Sequence, residues 1–134
     1  MTELDYHILC ADAAAQTRDA AGLAEHAPLA EEGARRLNHR LYLGIAHRAQ
    51  GIAQQQQGWT EAALDRFDQA LALFEPLGTR WQIGRTLVER AGAHASAGDL
   101  DSARADYARA LEAFEAIGAA PAAEQVRRAL QSLT

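Results

Sequence analysis

The sequence predicts an all-α protein: a right-handed α-solenoid of three helix hairpins closed by a C-terminal capping helix. Three observations predict it. The chain matches itself at a shift of 40 residues, its apolar residues recur at three- and four-residue steps, and turn-forming residues punctuate it with that same period. Segment 58–78, GWTEAALDRFDQALALFEPLG, lies over 98–118, GDLDSARADYARALEAFEAIG, without a gap. Gly58 and Gly98, Ala63 and Ala103, Phe67 and Tyr107, Ala70 and Ala110, Leu71 and Leu111, Phe74 and Phe114, and Gly78 and Gly118 coincide. Upstream, Arg40 and Arg80, Leu43 and Ile83, and Gly44 and Gly84 extend the match. A worn first copy places Asp19 over Asp99, Ala30 over Ala70, Leu37 over Leu77 and Asn38 over Gly78. The copies span about 1–38, 39–78 and 79–118, within a single domain covering 1–134.

Each copy reads as two helices. Helix 3–17 carries Leu4, Ile8, Ala11 and Ala15 on one side and Tyr6, Leu9, Cys10 and Ala13 on another, so it requires two neighbours. Helix 20–37 starts after Asp19, which caps it, and stops at Asn38. Pro28 removes a backbone hydrogen bond there and Gly22 and Gly33 lower helix propensity, so a kink or break is expected near Pro28 in the weakest copy. Helix 40–57 is poor in large apolar residues, places His47, Gln50 and Gln54 near the seam, and ends on the polar run Gln54–Gln57. Helix 60–77, with Thr60 as its nearest cap, aligns Ala63, Phe67, Ala70, Leu71 and Phe74 on one stripe. Helix 80–97 repeats the first-helix pattern. Helix 100–117 follows the cap Asp99 and sets Ala103, Tyr107, Ala110 and Phe114 against Arg104, Asp106, Arg109 and Glu112. Pro121 suits the first turn of a last helix, 121–133, whose stripe is Val126, Ala129, Leu130 and Leu133. Phe67, Phe74, Tyr107 and Phe114 are the expected core. Links of about two residues make neighbouring helices antiparallel.

Composition narrows the chemistry. Hydrophobic residues make up 49% of the 134 and charged residues 23%, enough for a folded core. A net charge of −5 disfavours nucleic acid and anionic membrane as partners. All 13 basic residues are Arg, which removes Schiff-base chemistry and the lysine of a phosphate loop. Cys10 is the only cysteine, so no internal disulfide forms, and a reducing cytoplasm is the expected location. The acidic N-terminus and the lack of any long apolar run read as an unexported chain without a membrane span. Ser96, Ser102 and Ser132 lack a nucleophile context, and the glycines sit singly at helix ends and seams. Glu31 with Glu32, Asp65 with Asp68, and Glu112 with Glu115 read as solvated faces with Arg partners. His7 and His47 are one period apart with Cys10 a turn from His7, a conceivable metal cluster, but packing at the seam is the expected role. No catalytic residue, cofactor or metal is expected.

The series Gly58, Ala63, Phe67, Ala70 and its repeat Gly98, Ala103, Tyr107, Ala110, with Gly51 and Ala91 at the matching first-helix position, resembles the tetratricopeptide repeat. The 40-residue period and the phrases LFEPLGTRWQIGRTL and FEAIGAAPAAEQVRRAL are similar to the arrays of bacterial signalling ATPases and transcription regulators. The resemblance covers nearly the whole chain. It departs where an aromatic is usual two places after the loop glycine: Thr60 and Leu100 stand there, with Trp59 one place early.

The resemblance implies a non-catalytic adaptor or regulatory scaffold whose first helices line a concave groove for a peptide or protein segment. The groove positions would be Asp5, Ile8, Leu9, Asp12 and Gln16, then Ile45, Arg48, Ala49, Ile52, Gln55 and Gln56, then Arg85, Val88, Glu89 and Ser96, with Gln125 and Arg128 from the last helix. Arg48, Arg85 and Arg128 would form a ladder for an acidic segment, since guanidinium groups pair bidentately with carboxylates. The family's carboxylate clamp requires Lys and Asn where Ile8 and Asp12 stand, so recognition of chaperone tails is not implied. The alternative is a self-association module of a larger bacterial regulatory system, a homo-oligomer formed through the doubly apolar N-terminal helix.

Overall fold

The structure, a computed structural model, describes residues 1–133. Among them it is all-helical: α1 (Glu3–Thr17), α2 (Ala20–Arg36), α3 (Arg40–Gln56), α4 (Thr60–Leu77), α5 (Arg80–Ser96), α6 (Leu100–Ala116) and α7 (Ala120–Ser132). Several helices stop one residue short of the sequence expectation, at Arg36, Gln56, Ser96 and Ala116. The reason is a shared turn: a cap residue (Leu37, Gln57, Ala97, Ile117) precedes one with positive φ (Asn38, Gly58, Gly98, Gly118). Positive φ recurs at 18, 38, 58, 78, 98 and 118, so the turn repeats every 20 residues, twice per copy. The N–H groups of Asp19, His39, Trp59, Asp99 and Ala119 close these turns onto the carbonyls of Ala14, Ala34, Gln54, His94 and Phe114. Glycine suits four of the six positions because it has no Cβ to clash there, whereas Arg18 and Asn38 adopt the left-handed conformation with side chains.

Helix starts are set by side chains on the same rhythm. Asp19 and Asp99 accept from the N–H groups of Gly22 and Ser102 at 3.1 Å, and Thr2 and Asp5 form a reciprocal capping box. His39 caps α3 through Nδ1, which accepts from the Tyr42 N–H at 3.3 Å. Thr60 is the first helical residue of α4 rather than its cap, and Pro121 falls in the first turn of α7. Pro28 does not break α2, which runs unbroken from Ala20 to Arg36. Pro28 is exposed while Leu23, Ala27, Ala30 and Ala34 are fully buried, so packing against α1 and α3 holds the helix through the missing hydrogen bond.

The chain forms two compact units, Met1–Leu77 and the part from Gly78 onward. In the first, α1 pairs with α2 and α3 with α4, and α3 packs on both α1 and α2. Its core contains Leu4, Ile8, Leu23, Ile45, Ile52, Phe67, Leu71 and Phe74. The α3/α4 pair is antiparallel because Gly44, early in α3, meets Phe74, late in α4, while Gly51 meets Phe67. In the second unit α5 pairs with α6 and α6 with α7, around Leu87, Ala91, Ala103, Ala110, Phe114 and Val126. Phe67, Phe74 and Phe114 are core as expected, but Tyr107 is only half-buried. Burial raises its phenol pKa, with Glu89 adding to the shift. No helix among the described residues is long and apolar enough to cross a membrane.

Candidate functional site

The side chains expected to line a groove divide into three groups. Arg48 is 1% exposed, its Nη2 lies 3.2 Å from Asp12 Oδ1, and its guanidinium carbon sits 5.5 Å from the centre of the Phe74 ring. It fixes α3 to α1 and is withdrawn from the expected ladder, because a guanidinium desolvated this far needs its carboxylate inside the protein. Ile52 is likewise buried. Gln56 is exposed but its Nε2 donates to the Arg18 carbonyl at 3.0 Å, and Gln55 is half-buried. In the second unit Arg85, Val88 and Glu89 are half-buried on α5, and Arg128 is exposed on α7 with Nε 3.5 Å from Glu124.

A second α1–α3 tie was not foreseen. The Tyr42 hydroxyl donates to Asp5 Oδ1 at 2.6 Å while the Thr2 N–H donates to Oδ2 at 3.0 Å. The Tyr42 bond foremost, with Thr2, holds the Asp5 carboxyl down at about 2, and the same bond raises the Tyr42 phenol. Asp5 and Tyr42 are 37 residues apart, Asp12 and Arg48 are 36 apart, and Gln56 reaches back 38 to Arg18. Each span is a little under one period, the offset of successive first helices. Complementary pairs at that separation are the sequence signal that could have found them.

The helix seams carry the other polar groups. Glu31, expected on a solvated face, is half-buried and accepts from Arg35 at 2.6 Å, Gln50 at 3.3 Å and Arg66 at 2.9 Å. Burial pushes its carboxyl up, but the Arg66 and Arg35 bonds overcome this and leave it below the ordinary value. Arg66 also donates from Nη1 to Nδ1 of the buried His47 at 2.9 Å. Burial lowers the His47 pKa against the pull of Glu31, and Arg66 and Arg35 lower it further. The imidazole is therefore neutral with its proton on Nε2, since a guanidinium can only donate. One period earlier, His7 and His26 occupy the equivalent places, with Nδ1 atoms 3.1 Å apart. His7 is thus joined to His26, and no group of three metal-ligating side chains forms among the described residues. In the second unit Asp106, 5% exposed, receives a two-pronged contact from Arg90 at 2.7 and 2.8 Å. These groups bond to one another across the seams, and Glu31, Arg35 and Gln50 also border an open depression. An open depression of about 470 Å³ on α2, lined by Pro28, Glu31, Glu32, Arg35, Arg36 and Gln50, has its charges in both signs.

One surface stands apart. Among the described residues the large apolar side chains that are exposed include Leu37, Trp59, Leu77, Trp81, Leu100 and Ile117, each at or beside a helix end. Tyr6, Leu9 and Leu29 are exposed in mid-helix, by 50%, 57% and 46%. The exposed positions of α1 and its cap include Glu3 and Thr17 as well as Thr2, Tyr6, Leu9, Ala13 and Gln16, and the last five form one stripe at alternating steps of four and three. Tyr6 is held by the imidazoles of His7 and His26, with ring centres 5.3 and 5.6 Å away. Cys10, one turn on, raises the Tyr6 phenol pKa through a side-chain hydrogen bond. The places of Tyr6 and Leu9 in the second copy are taken by Ala46 and Ala49, both fully buried. Comparison with protein-family models, curated proteins and solved structures finds no match, so the arrangement of these residues carries the functional argument.

Proposed function

We propose that the chain is a non-catalytic protein-interaction module, a helical-repeat scaffold of the tetratricopeptide, solenoid-forming kind, that meets a protein partner through the outer face of α1. One observation carries this reading. Tyr6 and Leu9 stand half-exposed in mid-helix at places whose counterparts in the next copy, Ala46 and Ala49, are fully buried on α3, a helix that packs on both α1 and α2. A position that is an interface in one copy and bears large apolar side chains in another is a docking surface. The bonds among titratable groups across the seams are of the kind that hold helices together, as a scaffold requires.

The test compares the parent chain, Leu9→Glu and Arg128→Glu as immobilised baits in extract of the native source. The expected result is a band retained by the parent and by Arg128→Glu and lost with Leu9→Glu. An identical set of bands for all three overturns the reading. A second reading, recognition of an acidic segment by the second unit, draws on exposed Arg128 and half-exposed Arg85 and Val88. It expects a band that weakens with salt and disappears with Arg85→Glu.

A further inference from the structure

We infer that the occupant of the α1 face is a second copy of this chain, paired antiparallel through α1 about a two-fold axis close to Leu9. This rests on the reading of α1 as a docking surface and names its partner.

Three observations lead to a second copy. The first is the pattern of the stripe. Thr2, Tyr6, Leu9, Ala13 and Gln16 lie at −7, −3, 0, +4 and +7 from Leu9, symmetric to within one residue, with polar residues outermost, apolar residues inside and Leu9 at the centre. An antiparallel copy sets Leu9 against Leu9 and Thr2 against Gln16, and brings the bulky Tyr6 within one residue of the small Ala13. That is the self-complementarity an isologous contact requires. The spacing is also that of a two-helix seam, in which apolar residues repeat every three and four positions.

The second is side-chain size. On α3, which packs on the preceding hairpin, the matching places hold the small, fully buried Ala46 and Ala49. Tyr6 and Leu9 are larger than the alanines at the matching places of α3, so the α1 face differs in shape from the face that α3 presents. The Tyr6 ring already packs edge-on against His7 and His26, which lowers the conformational entropy lost when it is buried.

The third is charge. A head-to-tail assembly would need an apolar counterpart on another helix, and the exposed residues of α7 include Glu124, Gln125, Arg127, Arg128 and Gln131. On the flank of α1 itself, Asp5 and Asp12 would face the partner's Asp12 and Asp5 across the axis. Both are turned to α3 instead, where Tyr42 and Arg48 hold them. Arg48 thereby neutralises Asp12 within each copy, while Asp5 keeps its charge but is directed to the Tyr42 hydroxyl on α3.

Light scattering coupled to size-exclusion chromatography, from about 5 to 200 µM, tests the mass, with association at micromolar concentrations expected of a small apolar contact. The parent should run at twice 14.5 kDa and change little with salt, while Leu9→Glu should run at 14.5 kDa with the same far-ultraviolet circular dichroism. Ala13→Arg, at another exposed position, should do the same and guards against a fault peculiar to one variant. Cys10, the only cysteine, lies one residue from the axis, so a short bismaleimide should link two parent chains and fail to link Leu9→Glu chains. A parent of 14.5 kDa at every concentration overturns the pairing, as does a dimer that both substitutions leave intact or that Cys10 does not link. A single-chain mass together with a foreign band lost by Leu9→Glu overturns only the pairing. A bait series with no difference overturns the docking surface itself.

Discussion

A methyl group at Gly44 would lie 2.5 Å from Cε1 of Phe74, and one period later a methyl group at Gly84 would lie 2.6 Å from Cε1 of Phe114. The glycine is what lets each aromatic ring approach the facing helix this closely. In the first copy the sizes are exchanged: Leu4 stands at the place of Gly44 and Ala34 at that of Phe74, and Leu4 Cδ1 fills the space at Gly33. The sum of volumes across the seam is kept while its distribution is inverted, which is the freedom that close packing allows.

Gly44→Ala and Gly84→Ala should each destabilise the protein by about 1–3 kcal/mol through overpacking, despite the gain in helix propensity. Gly92→Ala, where nothing lies within 4 Å, should stabilise by about 0.5–1 kcal/mol. Phe74→Ala and Phe114→Ala should cost about 3–5 kcal/mol. Urea denaturation checks the set, and losses below about 1 kcal/mol at both phenylalanines would contradict their place in the core.

Arg48→Met should cost about 2–4 kcal/mol, because it leaves the half-buried Asp12 without its guanidinium partner. Arg128→Ala should change stability by less than about 0.5 kcal/mol, since that side chain is largely exposed. Equal effects in thermal or urea unfolding would place the two arginines in the same role.

Pro28→Ala should stabilise α2 by about 1–3 kcal/mol by restoring the hydrogen bond to Ala24 at an exposed site. In the parent, amide hydrogen exchange should be faster in α2 than in α6. Unchanged stability on substitution would mean that the α2 backbone has already adapted fully to the proline.

Tyr42→Phe should raise the Asp5 pKa from about 2 toward the ordinary 3.8. A carboxylate held low by the fold contributes stability above its unfolded value, and that contribution is lost as the pH falls through the folded value. The difference between parent and variant should therefore be full above about pH 5 and absent below about pH 2. Carboxyl chemical shifts followed by NMR, with denaturation at several pH values, read both; an unmoved Asp5 titration would exclude the Tyr42 bond as its main cause.

His47 titrates with the same sign for a different reason. Burial favours its neutral form, so the stability it contributes is present above the ordinary 6.5 and is lost as the pH falls toward the lowered folded value. His47→Gln should flatten the decline in stability between about pH 7 and 5 relative to the parent. Parallel declines for the two proteins would assign that slope to other groups.

The sequence by itself determined the seven helices to within a residue or so at most ends, because the signals are local. Caps such as Asp19 and Asp99, the positive-φ residues at 38, 58, 78, 98 and 118, and an apolar face recurring at helical spacing act over a few residues each. The same periodicity marked Phe67, Phe74 and Phe114 as core. Only the tertiary structure decided that Pro28 bends to the helix around it, that Arg48 and Ile52 point inward, and that Glu31 and Arg66 belong to a seam rather than to solvent. Those outcomes depend on how far one helix slides and turns against the next. That offset is set by volumes meeting across the seam, as at Gly44 and Phe74, and it determines which side chains 36 to 38 residues apart come within reach of each other.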